Sequence, residues 1–540
     1  MTAKGQYFSA FSLPAKRGEI LASDGFPLAT DRGVSLLYAE PKKFEKETGL
    51  IVDKIAPFLI EESEEEIGAD KDFLIEEKKK RLAEKLKNSN LVWIPLQQRI
   101  EEEEKRAIES LQIAGLGFED EHIRSYPEGT ASAYFLGFVG KDNDGSEKGY
   151  FGLEGLYDLD LRGRSGLVRR EKDAVGRPIL MGFLEREEER DGRSLLTTID
   201  RTVQFIAAQE LEKALEKYGA VSGSVVVMEP ETGAILGMVS LPTYDPETYF
   251  DFEEKIFPNP AVTDFYEPGS TFKVLVMAAA LNEGVVDPET KCDQCAGPIT
   301  IADYSIHTWN DEYYPESTAT EILIHSDNVG MVFVGQALGK GKLFEYLERF
   351  GFGQLTGVDL QDDTSPALRP REKWGEIDLA TASFGQGIAV SPLQMVRAVG
   401  AIANNGEMVK PFLAKGVLDQ EKLTDIKLEN KKRVISPKTA STMTQMMVEA
   451  VEQGETKWIK PIGFTIAGKT GTAQIPVAGH YDEEKTIASF VGFAPAKDSR
   501  FVMLVTLREP SSSPWGAETA APLWFNITRR LLIYFGIPPR

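Results

Sequence analysis

The sequence predicts an α+β chain of two domains, with helices packed on a mostly antiparallel sheet. Three observations lead there. Its 540 residues exceed what one ordinary hydrophobic core organises. A dense charge run, "EREEERDGRS" at 185–194, separates a charge-rich first part from a more apolar second part. In that second part strand-like runs come first, helical segments fill the middle, and strands plus one helix close the chain. The domains are accordingly set at 1–192 and 193–540.

In the first domain, residues 42–125 are dominated by charge. "EESEEEIGADKDFLIEEKKKRLAEKLKNSN" and "QRIEEEEKRAIESL" pattern as exposed amphipathic helices, which reads as a solvated face. The segments 17–30, 123–140 and 149–166 carry Gly and Pro at spacings that predict strands and turns. In the second domain, Asp200 stands where it can cap a helix through Val203, Ile206, Ala207 and Leu211. "GSVVVMEP" and "AILGMVSLP", joined by "ETG", predict a hairpin. "YEPGSTFKVLVMAAALNEG" (266–284) reads as a turn at Pro268 and Gly269, an apolar helix, and a stop at Gly284. More helices are expected up to about 350 and near 392–405. "FTIAGKTGTAQ", "TIASFVGFAPA" and "RFVMLVTLRE" predict three antiparallel strands, and a last helix covers about 518–535.

Composition narrows the function classes. Hydrophobic residues at 42% and charged residues at 27% describe a soluble globular protein. A formal charge of −23 argues against a nucleic-acid surface, which needs clustered Lys and Arg. No apolar run approaches the roughly 20 residues that span a bilayer, and the first residues do not pattern as a signal peptide. Cys292 and Cys295 form a C-x-x-C that cannot fill a four-ligand zinc site without partners, and His307 nearby supplies at most one. A local disulfide is the alternative in an oxidising compartment. No metal and no organic cofactor are expected.

The opening polar pair of the 270–284 helix carries chemistry. Ser270 and Lys273, three apart, share a face. A serine hydroxyl needs a base to become a nucleophile, and a lysine is that base only when burial or neighbouring positive charge favours its neutral form. The helix start also places the Ser270 N–H where an oxyanion can form. "HSDNVGM" supplies Ser326, Asp327 and Asn328: a hydroxyl to relay a proton and an amide to meet a peptide. Read alone, Ser326 or Asp327 simply caps the helix that follows. "AGKTGTAQ" supplies Lys469, Thr470, Gly471 and Thr472, groups that favour a carboxylate, with Gly471 allowing a ligand close to the backbone. Read alone, it is a strand with a bulge. The three occur once each and in this order, and together S-x-x-K, S-D-N and K-T-G form the serine acyl-transfer signature of penicillin-binding proteins and class A β-lactamases.

On these motifs the chain resembles the class B penicillin-binding proteins, monofunctional peptidoglycan D,D-transpeptidases of the division or elongation type. "RGEILASDGFPLA", "RSYPEGTASAYFLGFVG" and "GLEGLYDLDLRGRSG" look like the family's N-terminal motifs. "TTIDRTVQ", "VVVMEPETGAILGMVSLPTYDP", "FGFG", "SFGQGIAVSPLQM", "AIANNGEMVKP" and "IYFGIPPR" are similarly placed in its catalytic part. The resemblance implies a pedestal or dimerisation-type domain followed by a penicillin-binding/β-lactamase-like transpeptidase domain. It implies Ser270 as nucleophile, Lys273 as base, Ser326 as proton relay and Asn328 as a contact to the substrate amide. Lys469, Thr470 and Thr472 would hold the terminal carboxylate, and the N–H groups of Ser270 and Thr472 would form the oxyanion hole. Phe384, Gly385, Gln386 and Gly387 would lie at the site rim. The implied partners are peptidoglycan stem peptides and their lipid-linked precursor, β-lactams, and a membrane glycosyltransferase within a wall-synthesis complex. Family members begin with a transmembrane helix; this chain starts where that helix ends, so an extracytoplasmic site and a truncated anchor are expected.

Two other readings compete. A β-lactamase or β-lactam sensor shares the motifs, but the E-x-x-L-N setting of a deacylating glutamate does not occur between 329 and 468. A non-catalytic wall-synthesis scaffold would not need all three motifs. A D,D-carboxypeptidase would use the same residues with water as acceptor.

Overall fold

The computed structural model of the protein describes residues 8–13, 15–60, 71–87, 91–171, 184–420, 422–427, 431–477 and 480–539. The chain forms two compact units. One comprises Met1–Glu19, Ala29–Tyr126 and Asp160–Arg193; the other comprises Ile20–Leu28, Pro127–Leu159 and Ser194–Arg540. Among the described residues no helix is long and apolar enough to cross a membrane.

In the first unit, β1 (Phe8–Leu13) belongs to a small antiparallel sheet, while β2 (Pro27–Ala39) is the centre of a separate core. Around β2 lie α1 (Thr48–Ile55), α2 (Lys71–Leu86), β3 (Ile94–Ile100), α3 (Glu102–Ser110) and β4 (Leu116–Ser125). Strands β3 and β4 both pair antiparallel with β2. The charge-rich helices are present. In α2 only Leu82 and Leu86 are buried, and they meet Ile51, Ile55, Leu37 and Leu96, so the remaining face stays in solvent. Residues 61–70 and 88–90 of that expected helix lie outside the described residues. A buried ion pair, Arg124 to Asp31 at 2.9 Å, ties β4 to β2. β5 (Gly166–Glu171) and β6 (Leu184–Glu187) complete the small sheet in the order β1-β5-β6.

The second unit is a layered α+β body. Its long helix α4 (Arg201–Tyr218) starts as expected: Asp200 Oδ1 accepts from the N–H groups of Thr202 (3.0 Å) and Val203 (3.2 Å). β7 (Ser222–Met228) and β8 (Ile235–Leu241) form the expected hairpin, with Val225 opposite Val239. Then come α5 (Lys273–Glu283), α6 (Asn328–Leu338), α7 (Pro392–Ala403) and α8 (Pro437–Gln453). The chain closes with β9 (Ala467–Val477), β10 (His480–Ala494), β11 (Phe501–Arg508) and α9 (Ala520–Tyr534). The five strands run in the order β8-β7-β11-β10-β9, all antiparallel, with β9 at the edge.

One face of this sheet packs on α4 and α9, around Val225, Val239, Phe490, Phe501, Val505 and Trp524. The other face takes α7, where Gly400 lets the helix settle against Met228 and Val502. Helix α5 lies wholly inside: Lys273 through Ala280 are all buried, which is why its sequence is apolar on every side. Helix α8 was not foreseen. The segment 149–166 also departs from the expected strands and turns, since Gly152–Leu156 and Asp158–Leu161 are short helices. Its glycines serve close packing rather than turns: a Cβ on Gly152 would stand 2.6 Å from Phe135 O.

Candidate active site

Ser270 sits in a single 3-10 turn, Gly269–Phe272, that leads directly into α5. Gly269 adopts φ +54° and its N–H bonds to Gly385 O at 3.0 Å. Gly385, itself at φ +82°, lies so close beneath that a side chain there would strike Gly269 O and Phe272. The "FGQG" segment is thus a backing for the Ser270 turn. The opposite side of the turn is held by edge strand β9. A Cβ on Gly471 would lie 2.6 Å from Ser489 Oγ, 2.8 Å from Thr271 Cγ2 and 3.1 Å from Pro268 O. The protein's own packing thus already requires a glycine at 471.

Lys273, fully buried, points into the junction of the three motifs. Its Nζ donates to Ser326 O (2.6 Å) and Asn328 Oδ1 (2.8 Å) and lies 3.3 Å from Ser326 Oγ. Asn328 Nδ2 donates to His307 O at 3.0 Å, and because a carbonyl only accepts, the amide's orientation is fixed with its oxygen toward the lysine. Burial first, and the Lys469 charge second, hold Lys273 well below the usual lysine range, against the pull of Asp327 and Glu455. The second motif is bent to serve this arrangement: Ser326 takes the left-handed φ of +55°. Asp327 occupies the cap position of α6 without a side-chain cap bond. It is buried, and neither of its carboxylate oxygens has a hydrogen-bond partner among the described residues. The simple capping role is therefore not what the side chain does.

On β9, Lys469 Nζ donates to Thr470 Oγ1 at 3.0 Å, and Thr470 Oγ1 donates to Glu455 Oε2 at 2.9 Å. Lys469 is buried, which lowers its pKa, and Glu455 opposes that shift. Thr472 Oγ1 accepts from Gly516 N–H at 2.9 Å, which leaves its own proton to donate outward.

Ser270, Ser326, Asn328, Thr470, Gly471 and Thr472 line one cleft of about 520 Å³. Lys273 and Lys469 lie buried behind its wall. Of the expected rim, Phe384 and Gln386 line the cleft, Gly385 lies beneath the turn, and Gly387 N–H bonds to Glu267 Oε1 at 3.1 Å. The lining residues that sequence reasoning missed include Glu455, Glu518, Trp309, Trp458 and Trp515, of which Trp309 and Trp515 meet edge-to-face at 5.2 Å. Glu455 follows α8, whose start was signalled by Ser436 before Pro437; the Ser436 Oγ accepts from Thr439 N–H at 3.1 Å. Cys292 and Cys295 are joined in a disulfide, and among the described residues no cluster of three or more His, Cys, Asp or Glu could hold a metal.

Known proteins match both parts of the chain. Residues 223–530 match the penicillin binding protein transpeptidase domain, and residues 12–197 match the penicillin-binding protein dimerisation domain. Stage V sporulation protein D of Bacillus subtilis is 34% identical over 543 residues, covering 100% of this chain and 81% of that protein. A protein of Neisseria meningitidis described as a probable peptidoglycan D,D-transpeptidase, PenA, is 29% identical, covering 98% of this chain and 86% of its own length. The crystal structure of penicillin binding protein 3 from Mycobacterium tuberculosis, complexed with aztreonam, superposes with a TM-score of 0.74 at 25% identity, covering 98% of each chain. With both family domains matched in order and a full-length relative at this identity, the chain belongs to the class B penicillin-binding proteins.

Proposed function

We propose that the chain is a peptidoglycan D,D-transpeptidase that β-lactams also acylate. Ser270 Oγ attacks the carbonyl of the penultimate D-Ala of a stem peptide. The C–N bond to the terminal D-Ala breaks, that D-Ala leaves with a proton, and an ester remains on Ser270. An amine from a neighbouring strand then attacks the ester, Ser270 Oγ departs, and a new amide closes the cross-link. A β-lactam undergoes the first step only, its ring amide opening onto Ser270.

Lys273 takes the Ser270 proton. A neutral amine has two N–H bonds and one lone pair; with the two N–H groups spent on Ser326 O and Asn328 Oδ1, the lone pair is left for an incoming O–H. Ser326 Oγ, 3.3 Å from that nitrogen, passes the proton to the leaving amine. Asn328 keeps one N–H and one lone pair for the substrate amide. The charge of Lys469, positioned by the Thr470 hydroxyl that it bonds, and the free proton of Thr472 Oγ1 hold the terminal carboxylate, and the N–H groups of Ser270 and Thr472 take the developing oxyanion. The role places the domain outside the cytoplasmic membrane, with a membrane glycosyltransferase supplying the strands. The Cys292–Cys295 disulfide suits such a compartment.

The observation that carries this reading is the buried Lys273, oriented by Ser326 and Asn328 and pushed toward its neutral form beside a cleft that holds Ser270. The test is labelling with a fluorescent penicillin. The wild type is expected to label covalently and Ser270→Ala is expected not to; labelling that survives in the variant refutes Ser270 as nucleophile.

A further inference from the structure

The cleft also holds a negative charge, a carboxylate of which one oxygen supports Lys469 through Thr470 and the other is left over. Glu455 reaches into it from the turn after α8, and one oxygen, Oε2, accepts from Thr470 Oγ1 at 2.9 Å. Among the described residues the carboxylate has no ion-pair partner, and Oε1 has no hydrogen-bond partner. A donor stem peptide ends in a carboxylate, which Glu455 repels. The acceptor has the opposite sign: an aliphatic amine carries an ammonium at neutral pH. It must reach an ester on Ser270 that lies beside Lys273 and Lys469, two side chains whose positive forms repel it.

We infer that Glu455 is the anchor for the acceptor's ammonium, and that it makes the acyl-enzyme selective for a cationic primary amine over water. This rests on the transpeptidase reading. The ammonium binds at Oε1, sheds one proton to solvent, and its nitrogen attacks the ester carbonyl. The C–N bond forms, the bond from carbonyl carbon to Ser270 Oγ breaks, and the second amine proton passes through Ser326 and Lys273 to Ser270 Oγ. The result is one amide, one free serine and one proton released. Glu518 also lines the cleft, and its segment is tied to the third motif through Gly516 N–H to Thr472 Oγ1, but among the described residues the Glu518 carboxylate itself makes no bond to that motif, whereas the Glu455 carboxylate is fastened to Thr470.

The test uses the full chain, a D-Ala-type thioester donor, and either diaminopimelate or Nα-acetyl-lysine amide as acceptor. The ratio of amide product to hydrolysed product is read by mass spectrometry. Both products arise from one acyl-enzyme, so the ratio does not depend on how fast Ser270 is acylated. Glu455→Gln is expected to lower the ratio about fivefold, the scale of one partly exposed ion pair. Glu455→Lys is expected to lower it further, and the charge-retaining Glu455→Asp to keep most of it. An unchanged ratio in Glu455→Gln, a loss confined to Glu518→Gln, or a wild type that hydrolyses the donor without ever using the amine overturns the inference. Penicillin labelling of each variant confirms a folded site. A wild type that neither labels nor turns over the thioester refutes the transpeptidase reading itself, a different failure.

Discussion

Asn328→Asp replaces one amide nitrogen with oxygen, keeps the shape, and asks whether Lys273 must be neutral. Asn328 Oδ1 lies 2.8 Å from Lys273 Nζ, so the new charge falls on a group the lysine already bonds. Coulomb's law at an effective dielectric of about 20 gives about 6 kcal/mol at that separation. That is a ceiling, because the carboxylate is itself desolvated there, and close opposite charges commonly shift a pKa by about 1–3 units. The sign is upward, opposite to the effect of burial and Lys469. Acylation needs the uncharged amine, so each unit lowers the competent fraction about tenfold at any pH below the pKa. The expected outcome is a rise of acylation rate with pH displaced upward by about 1–3 units, and a lower rate at every pH below the displaced rise. Asn328→Ala is the control. It loses the bonds to Lys273 and His307 O without adding charge, so its plateau falls but its profile does not move upward. The assay is the second-order rate of fluorescent penicillin acylation across pH. If the two variants share one pH profile, Lys273 is not the titrating base.

Two further substitutions test how the frame holds the site. Gly471→Ala places a methyl 2.6 Å from Ser489 Oγ and 2.8 Å from Thr271 Cγ2, next to the Ser270 turn. A loss of about 1–3 kcal/mol, read as a lower Tm, and slower penicillin acylation are expected together; a lower Tm with unchanged acylation would separate the strand from the turn. Asp200→Ala removes the cap bonds to Thr202 and Val203 and the contact from Tyr534 Oη at 2.9 Å. It should cost about 1–2 kcal/mol in chemical denaturation and leave penicillin labelling intact, since α4 contributes nothing to the cleft.

Much of the fold was legible because the signals are local. Asp200 sits one residue before its helix, and β7 and β8 are short apolar runs joined by the six residues 229–234. The three motifs were likewise readable as a set. What escaped was decided by tertiary contacts. Helix α8, "PKTASTMTQMMVEAVEQ", is rich in threonine and polar residues, and its helical state is favoured by burying Met443, Met446 and Met447. Glu455 meets Thr470 only because that helix packs beside β9. The sequence reading offered burial and neighbouring positive charge side by side as what keeps Lys273 neutral, and Lys469 supplies that charge. The structure ranks burial above it, and the depth of a side chain is not written in its neighbours along the chain.

The two lysines face opposite demands. A base must give up its charge, whereas a carboxylate binder must keep it. Burial pushes both down and so cannot separate them. Their neighbours do. For Lys469 the counterweight is Glu455, reached through the Thr470 hydroxyl; for Lys273 the next influence after burial is the positive charge of Lys469 itself. A charged Lys469 therefore makes Lys273 easier to discharge, and each proton state favours the other's function. Glu455 supports the charged member of the pair through Oε2, while Oε1 has no hydrogen-bond partner among the described residues. The serine motif, the second hydroxyl motif and the lysine strand then act as one electrostatic unit. Its polarity depends on a carboxylate that lies in none of the three motifs.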